Sequence, residues 1–73
     1  MNVHHFVVCI DNADYPASLE RCKIYQMLPD EQGKQRQYIR VIDESGEDYL
    51  YPQTLFIPIT LSSELETAIV KAA

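Results

Sequence analysis

The sequence predicts a mostly-β fold of five short strands followed by one C-terminal helix. Three observations predict it. Short apolar runs rich in β-branched and aromatic residues recur along the chain, clusters of turn-forming residues separate them, and the hydrophobic period changes near residue 63. At 73 residues the chain makes one domain. A domain this small buries only about 60% of its unfolded surface, so it relies on a dense core, a staple or a partner.

Phe6-Val7-Val8-Cys9-Ile10 reads as a buried first strand. It stops at Asp11-Asn12-Ala13-Asp14-Tyr15-Pro16, whose Asp, Asn and Pro favour turns, and residues 11 to 21 form a long, ordered loop. A second strand covers Cys22 to Leu28 and ends at Pro29, and residues 30 to 36, containing Gly33, read as a polar loop. Tyr38 to Ile42, Tyr49 to Tyr51 and Phe56 to Ile59 supply the third, fourth and fifth strands. Pro52 and Pro58 lack amide donors and belong at strand ends, bulges or sheet edges. Ser63 followed by Glu66 fits a capping box, and Leu65, Ile69 and Val70 form the apolar stripe of a helix over about 63–72. So short a helix does not hold alone in water and has to dock.

Asp43-Glu44-Ser45-Gly46 is the most legible turn. Asp at its first position and Gly at its fourth suit a type I turn, with Gly46 left-handed in a bulged three-residue hairpin loop. That register pairs Val41 with Tyr49 and Ile39 with Tyr51 on a core face. It sends Tyr38, Arg40, Ile42 and Leu50 to the opposite face, and a one-residue slip would invert the assignment. Val8, Ile39, Val41, Tyr51 and Phe56 are the expected core. The outer apolar patch is to be covered either by the C-terminal helix or by another chain.

Five strands in this order, with a long first loop and a tight hairpin between the third and fourth, resemble an SH3-like barrel over about residues 5–59. Leu50-Tyr51-Pro52-Gln53-Thr54-Leu55-Phe56 is similar to the aromatic or aliphatic–Pro–x–x–Tyr–Val segment that ends such domains. The resemblance places Pro52 at the groove proline, Leu55 where the pattern has tyrosine, and Tyr15 in the loop that carries groove aromatics. The groove tryptophan has no counterpart, because the chain has no Trp, so capture of Pro-rich peptides is not carried over. The chain also resembles a group of short bacterial proteins, which implies no activity.

Charge narrows the functions. Eleven Asp and Glu against six Lys and Arg give a net charge of −5, and the cations are scattered. Phosphate binding needs clustered cations, so neither nucleic acid nor an anionic membrane surface is an expected partner. No nucleophile elbow or Gly-rich phosphate loop is present, and a barrel this small fills its interior with side chains. The expectation is therefore a non-catalytic chain without cofactor or small-molecule substrate. His4-His5 with Cys9 and Cys22 lack the spacing of a structural zinc site. Asp43, Glu44, Glu47 and Asp48 read as an exposed acidic hairpin tip without calcium-loop spacing. Two cysteines without a framework, and no signal peptide, point to the cytoplasm.

What remains is contact. Tyrosine joins an apolar ring to a polar tip and suits interfaces, and the chain has five. Tyr15, Tyr38, Ile42, Leu50, Pro52 and Leu55 are the candidate partner-binding residues. They would serve a protein-binding module or a small subunit of a complex, with self-association included. The alternative is a small regulatory domain that meets a basic protein surface through its acidic loops.

Overall fold

The computed structural model of the chain describes residues 5–72, with the side chain of Ala72 excepted. Five strands, β1 (His5–Cys9), β2 (Ile24–Leu28), β3 (Tyr38–Ile42), β4 (Asp48–Pro52) and β5 (Phe56–Ile59), form one antiparallel sheet in the order β4-β3-β2-β1-β5. The first four strands meander, and β5 returns beside β1 after a 3-10 turn at Gln53–Leu55. β4 and β5 are thus the two edges and are not paired with each other, so the sheet is open. Pro52 and Pro58 lie one on each edge strand, where a missing amide donor costs no ladder bond. Two helices complete the fold, α1 (Glu31–Gln35) and α2 (Ser63–Ala72), and no helix among the described residues is long and apolar enough to cross a membrane.

The inner face of the sheet carries the core: Val7, Cys9, Tyr25, Val41, Tyr51 and Phe56, with Leu19 from the loop between β1 and β2. Leu19 explains why that loop is ordered. It is fully buried, and the backbone around it is locked by Leu19 N–H to the Tyr15 carbonyl (3.0 Å), Asn12 Nδ2 to the Leu19 carbonyl (2.9 Å) and Glu44 N–H to the Ser18 carbonyl (3.0 Å). The loop returns to the sheet through Cys22, whose left-handed backbone (φ 67°) lets its N–H reach the Cys9 carbonyl at 2.7 Å. β2 consequently begins at Ile24, two residues later than expected from the sequence.

The hairpin register is the expected one, with Ile39 opposite Tyr51 and Val41 opposite Tyr49. Gly46 has φ +83° and its N–H returns to the Asp43 carbonyl at 3.0 Å, as a type I turn with a left-handed glycine requires. Tyr49 nevertheless departs from its expected place in the core: it is 49% exposed. Side-chain parity puts it on the inner face, but it sits on an edge strand with no further strand beside it, and Tyr15 packs on Tyr51 instead.

Val8 is a second correction. The inner residues of β1 are Val7 and Cys9, while Val8 is only partly buried on the outer face opposite Ile24 and Ile57. Ile39 is likewise partly buried, packed at the margin of the core. The thiol pair also divides: Cys9 is buried and Cys22 exposed, both free.

The outer face has its own buried centre in Phe6, which is opposite Gln26 and Ile59. Helix α2 lies over this side. Glu66 lines a cavity with Phe6 and Leu61, and Ile69 lines another with Ile24 and Ile42. The inward stripe of α2 is therefore Glu66, Ile69 and Val70, spaced i, i+3, i+4, and these three are partly buried. Leu65, expected in that stripe, stands at its rim and is 47% exposed. The N-terminal cap is Ser62 rather than Ser63: its Oγ accepts from Leu65 N–H at 3.2 Å and its carbonyl from Glu66 N–H at 2.9 Å.

Residues 31–35, read as loop from the sequence, are helical. Asp30 caps α1 by accepting Gly33 N–H at 2.7 Å, and Gly33 is buried. Any Cβ at Gly33 would come within 2.9 Å of Leu50 Cδ2 and 3.2 Å of the Tyr38 carbonyl, so glycine here serves close packing of α1 on the outer hairpin face. The outer patch thus has two covers within the chain. α1 reaches Leu50, and Ile69 of α2 faces Ile42 across a shared cavity, yet Tyr38 and Leu50 stay 41% and 42% exposed.

Candidate functional site

Among the described residues six large apolar side chains are about half exposed; Ile10, Ile57 and Leu65 are scattered, and the other three gather on the β3–β4 hairpin. Tyr38, Tyr49 and Leu50 all belong to it, and a depression of about 410 Å³ opens beside it. Tyr15, Ser18, Asp43, Tyr49, Leu50 and Tyr51 contribute to its walls. Tyr51 is buried, and the Tyr15 ring meets it edge-on at 4.9 Å between centroids. Tyr49 is the freer ring, with its hydroxyl donating to Glu47 Oε2 at 2.8 Å.

Asp43 anchors this depression. The sequence reading placed it on an exposed acidic tip, but it is buried. Burial alone would raise its carboxyl, yet hydrogen bonds from the Ser45 hydroxyl, the Tyr51 hydroxyl (2.6 Å) and Ser45 N–H (2.9 Å) hold it below the usual carboxylate range. The same bond works on its partner. Burial first, and then the Asp43 carboxylate, push the Tyr51 hydroxyl up to about 12. Asp43 and Glu47, which pair across the hairpin end, engage different tyrosines: Tyr51 donates to the first and Tyr49 to the second.

Glu44 is also engaged. Lys23 Nζ lies 2.6 Å from its Oε2, the Tyr25 hydroxyl donates to the same carboxylate, and these two partners lower its pKa. Tyr25 in turn accepts Glu20 N–H at 2.7 Å, so this cluster ties the β1–β2 loop to the hairpin. On the outer face, Arg40 bridges Asp30 (2.9 Å) and Asp48 (3.4 Å). Asp30 is held below its ordinary value by Gly33 N–H and then by Arg40, which pins α1 to β3.

The six candidate residues fall on two sides of the sheet. Tyr15 lies over the inner face and Leu55 packs against the core. Tyr38, Leu50 and Pro52 share the outer face, with Tyr38 directly opposite Pro52, and Ile42 lies farther along β3 toward α2. Leu50, at the edge, is the one that also borders the tyrosine-lined depression. Sequence reasoning missed Tyr49 and Asp43 as members of this surface. The signal for Tyr49 was its place on the last strand of the meander, where one flank stays open.

Among the described residues no group of three or more His, Cys, Asp or Glu side chains could hold a metal ion; His4 lies outside them. No family model, curated protein or solved structure matches this chain.

Proposed function

We propose that the chain is a non-catalytic protein-binding module, or a small subunit of a larger complex, on an SH3-like frame, and that it acts in the cytoplasm. The observation that carries the binding reading is the hairpin surface, where half-exposed Tyr38, Tyr49 and Leu50 adjoin a tyrosine-lined depression. Apolar side chains gathered on a small domain mark contact sites, and tyrosine is favoured there. The strand order and the 3-10 turn before β5 support the SH3-like frame. The carboxylates nearest the depression are spent on structural hydrogen bonds to Ser45, Tyr51, Lys23, Tyr25 and Tyr49, which favours binding over acid–base chemistry. A net charge of −5 favours a protein over a nucleic acid as partner.

A second reading, a regulatory domain that meets a basic protein surface through acidic loops, is favoured by Glu47 and Asp48, which flank the same hairpin and are exposed. Site-specific photo-crosslinking tests the surface. The full chain, carrying a photoreactive side chain at position 49 or at position 67 on exposed α2, is irradiated in the cells that express it. A discrete protein adduct from position 49, lost with Tyr15→Ala and missing from position 67, is the expected result. The same adducts from both positions, or none from position 49, would overturn the reading.

A further inference from the structure

Backbone parity shows which strand edge is open to a partner. In the hairpin, Asp43 N–H donates to the Glu47 carbonyl and Gln53 N–H to the Gln37 carbonyl. The antiparallel alternation between these two bonds turns Tyr49 and Tyr51 toward β3, and turns the backbone of Asp48, Leu50 and Pro52 to the free edge. Asp48 and Leu50 present N–H and C=O groups there, while Pro52 has only its carbonyl and ends the ladder.

The other edge differs. Ile10 N–H donates to the Leu55 carbonyl, so by the same alternation Ile57 and Ile59 face β1 while Phe56 and Pro58 face outward. Phe56 N–H is taken by the Gln53 carbonyl and Pro58 has none, so the β5 edge has no donor to offer a new strand.

We propose that the free edge of β4 takes up an extended segment of a partner protein that carries lysine or arginine, adding it as an antiparallel strand; this rests on the protein-binding reading above. Alternate side chains of such a segment lie over the two sides of β4. One set meets Tyr49 and the tyrosine-lined depression, and the other meets Leu50, both nearly half exposed. Charge selects the occupant. Glu47 and Asp48 flank the edge and are exposed, and the cation beside them, Arg40, is already shared between Asp30 and Asp48. A cationic side chain opposite Asp48 is attracted, whereas a second copy of the chain brings another net −5 to the same rim.

The test uses the full 15N-labelled chain and two ten-residue peptides, one alternating threonine with lysine and one alternating threonine with glutamate. The lysine peptide should give saturable amide shifts centred on Asp48 and Leu50 and slow the solvent exchange of those two amides at least about tenfold, as their N–H groups enter a ladder. The glutamate peptide should do neither. In a synthetic chain, an ester oxygen replaces the Leu50 N–H, leaving the side chain intact and every β3 donor and acceptor in place, with the Tyr49 carbonyl a weaker acceptor. Its fold is checked by the unchanged amide spectrum of the core. This chain should bind the lysine peptide about fivefold more weakly, the loss of one hydrogen bond. Absence of saturable shifts, equal shifts with both peptides, or unchanged affinity of the ester chain would overturn the proposal. So would protection of Asp48 and Leu50 that grows with protein concentration alone, which identifies a second copy. Shifts confined to Tyr15 and Tyr49 with both edge amides unprotected would overturn strand addition while leaving the tyrosine-lined surface as the binding face.

Discussion

The two faces of the sheet are built in different ways. The inner face is plugged at its centre by an irregular loop whose Leu19 is fully buried among Val7, Cys9, Val41, Tyr51 and other core side chains, while Tyr49 at its edge stays half exposed. The outer face is covered by regular helices, yet less completely: Phe6 is buried, while Ile42, Ile69 and Val70 are only partly so and Tyr38 and Leu50 are half exposed. A loop tied to the sheet by backbone hydrogen bonds thus buries its plug more fully than the ten-residue α2 buries Ile69 and Val70.

Truncation of the inner plug should have the largest effect. Leu19→Ala leaves a cavity that the surrounding strands cannot fill and should cost about 2–5 kcal/mol, with Phe56→Ala at about 3–5 kcal/mol. Either takes a large part of a small domain's stability. Urea denaturation reads both, and a Leu19→Ala midpoint equal to wild type would remove the distinction between the faces.

Tyr51→Phe is intermediate. It keeps the ring against Tyr15 and Phe56 but strips one hydrogen bond from buried Asp43, at about 1–3 kcal/mol. Its pH dependence sharpens the assignment. The Asp43 carboxyl is lowered in the folded state, so its contribution is complete above the unfolded value of 3.8 and is lost as pH falls through the lower folded value. Tyr51 is raised from 10.0 to about 12, so its contribution holds below pH 10.0 and is lost as pH rises from there to about 12. In Tyr51→Phe the acid loss should shrink, because the folded carboxyl moves back toward 3.8, and the alkaline loss from this residue should vanish. Thermal melts across pH 2 to 12 measure both limbs, and unchanged limbs would detach Asp43 from Tyr51.

The smallest effect belongs to the outer cover. Ile69→Ala should cost about 1 kcal/mol, since that side chain is only partly buried. A loss as large as that of Leu19→Ala would make the two faces equivalent.

These differences track what was legible in the sequence. The β3–β4 register was readable because Asp43 and Gly46 together favour a type I turn with a left-handed glycine, which then fixes the parity of every residue from Tyr38 to Pro52. β1 was not readable to the same depth. Phe6, Val7 and Val8 are apolar on both faces, so no alternation says which one points inward, and Val8 was taken for Val7. Leu19 gave no signal, because a lone leucine among polar loop residues has no period. α1 was hidden by Pro29 and Gly33, whose ordinary reading as breakers gives way here to a cap at Asp30 and a close approach at Leu50. On the candidate surface, Leu50 and Tyr38 were found through register. Asp43 was missed, since an acid in a turn looks solvated until its tyrosine partner, placed by tertiary packing, is known.

The return of β5 to β1 sets the order in which this molecule assembles. Phe6 pairs with Ile59, so the first strand finds one of its two neighbours only near the other end of the sheet-forming sequence. The β3–β4 hairpin closes through the short turn at Asp43–Gly46 and forms on a microsecond scale, on the order of 1–10 μs. Joining β5 to β1 must close a loop that spans almost the whole sheet, and loop closure of that length is entropically the costlier step. Until residues 56–59 join, one edge of β1 has its backbone N–H and C=O groups unpaired. The hairpin that closes through the shortest loop is also the one that bears half-exposed Tyr38, Tyr49 and Leu50.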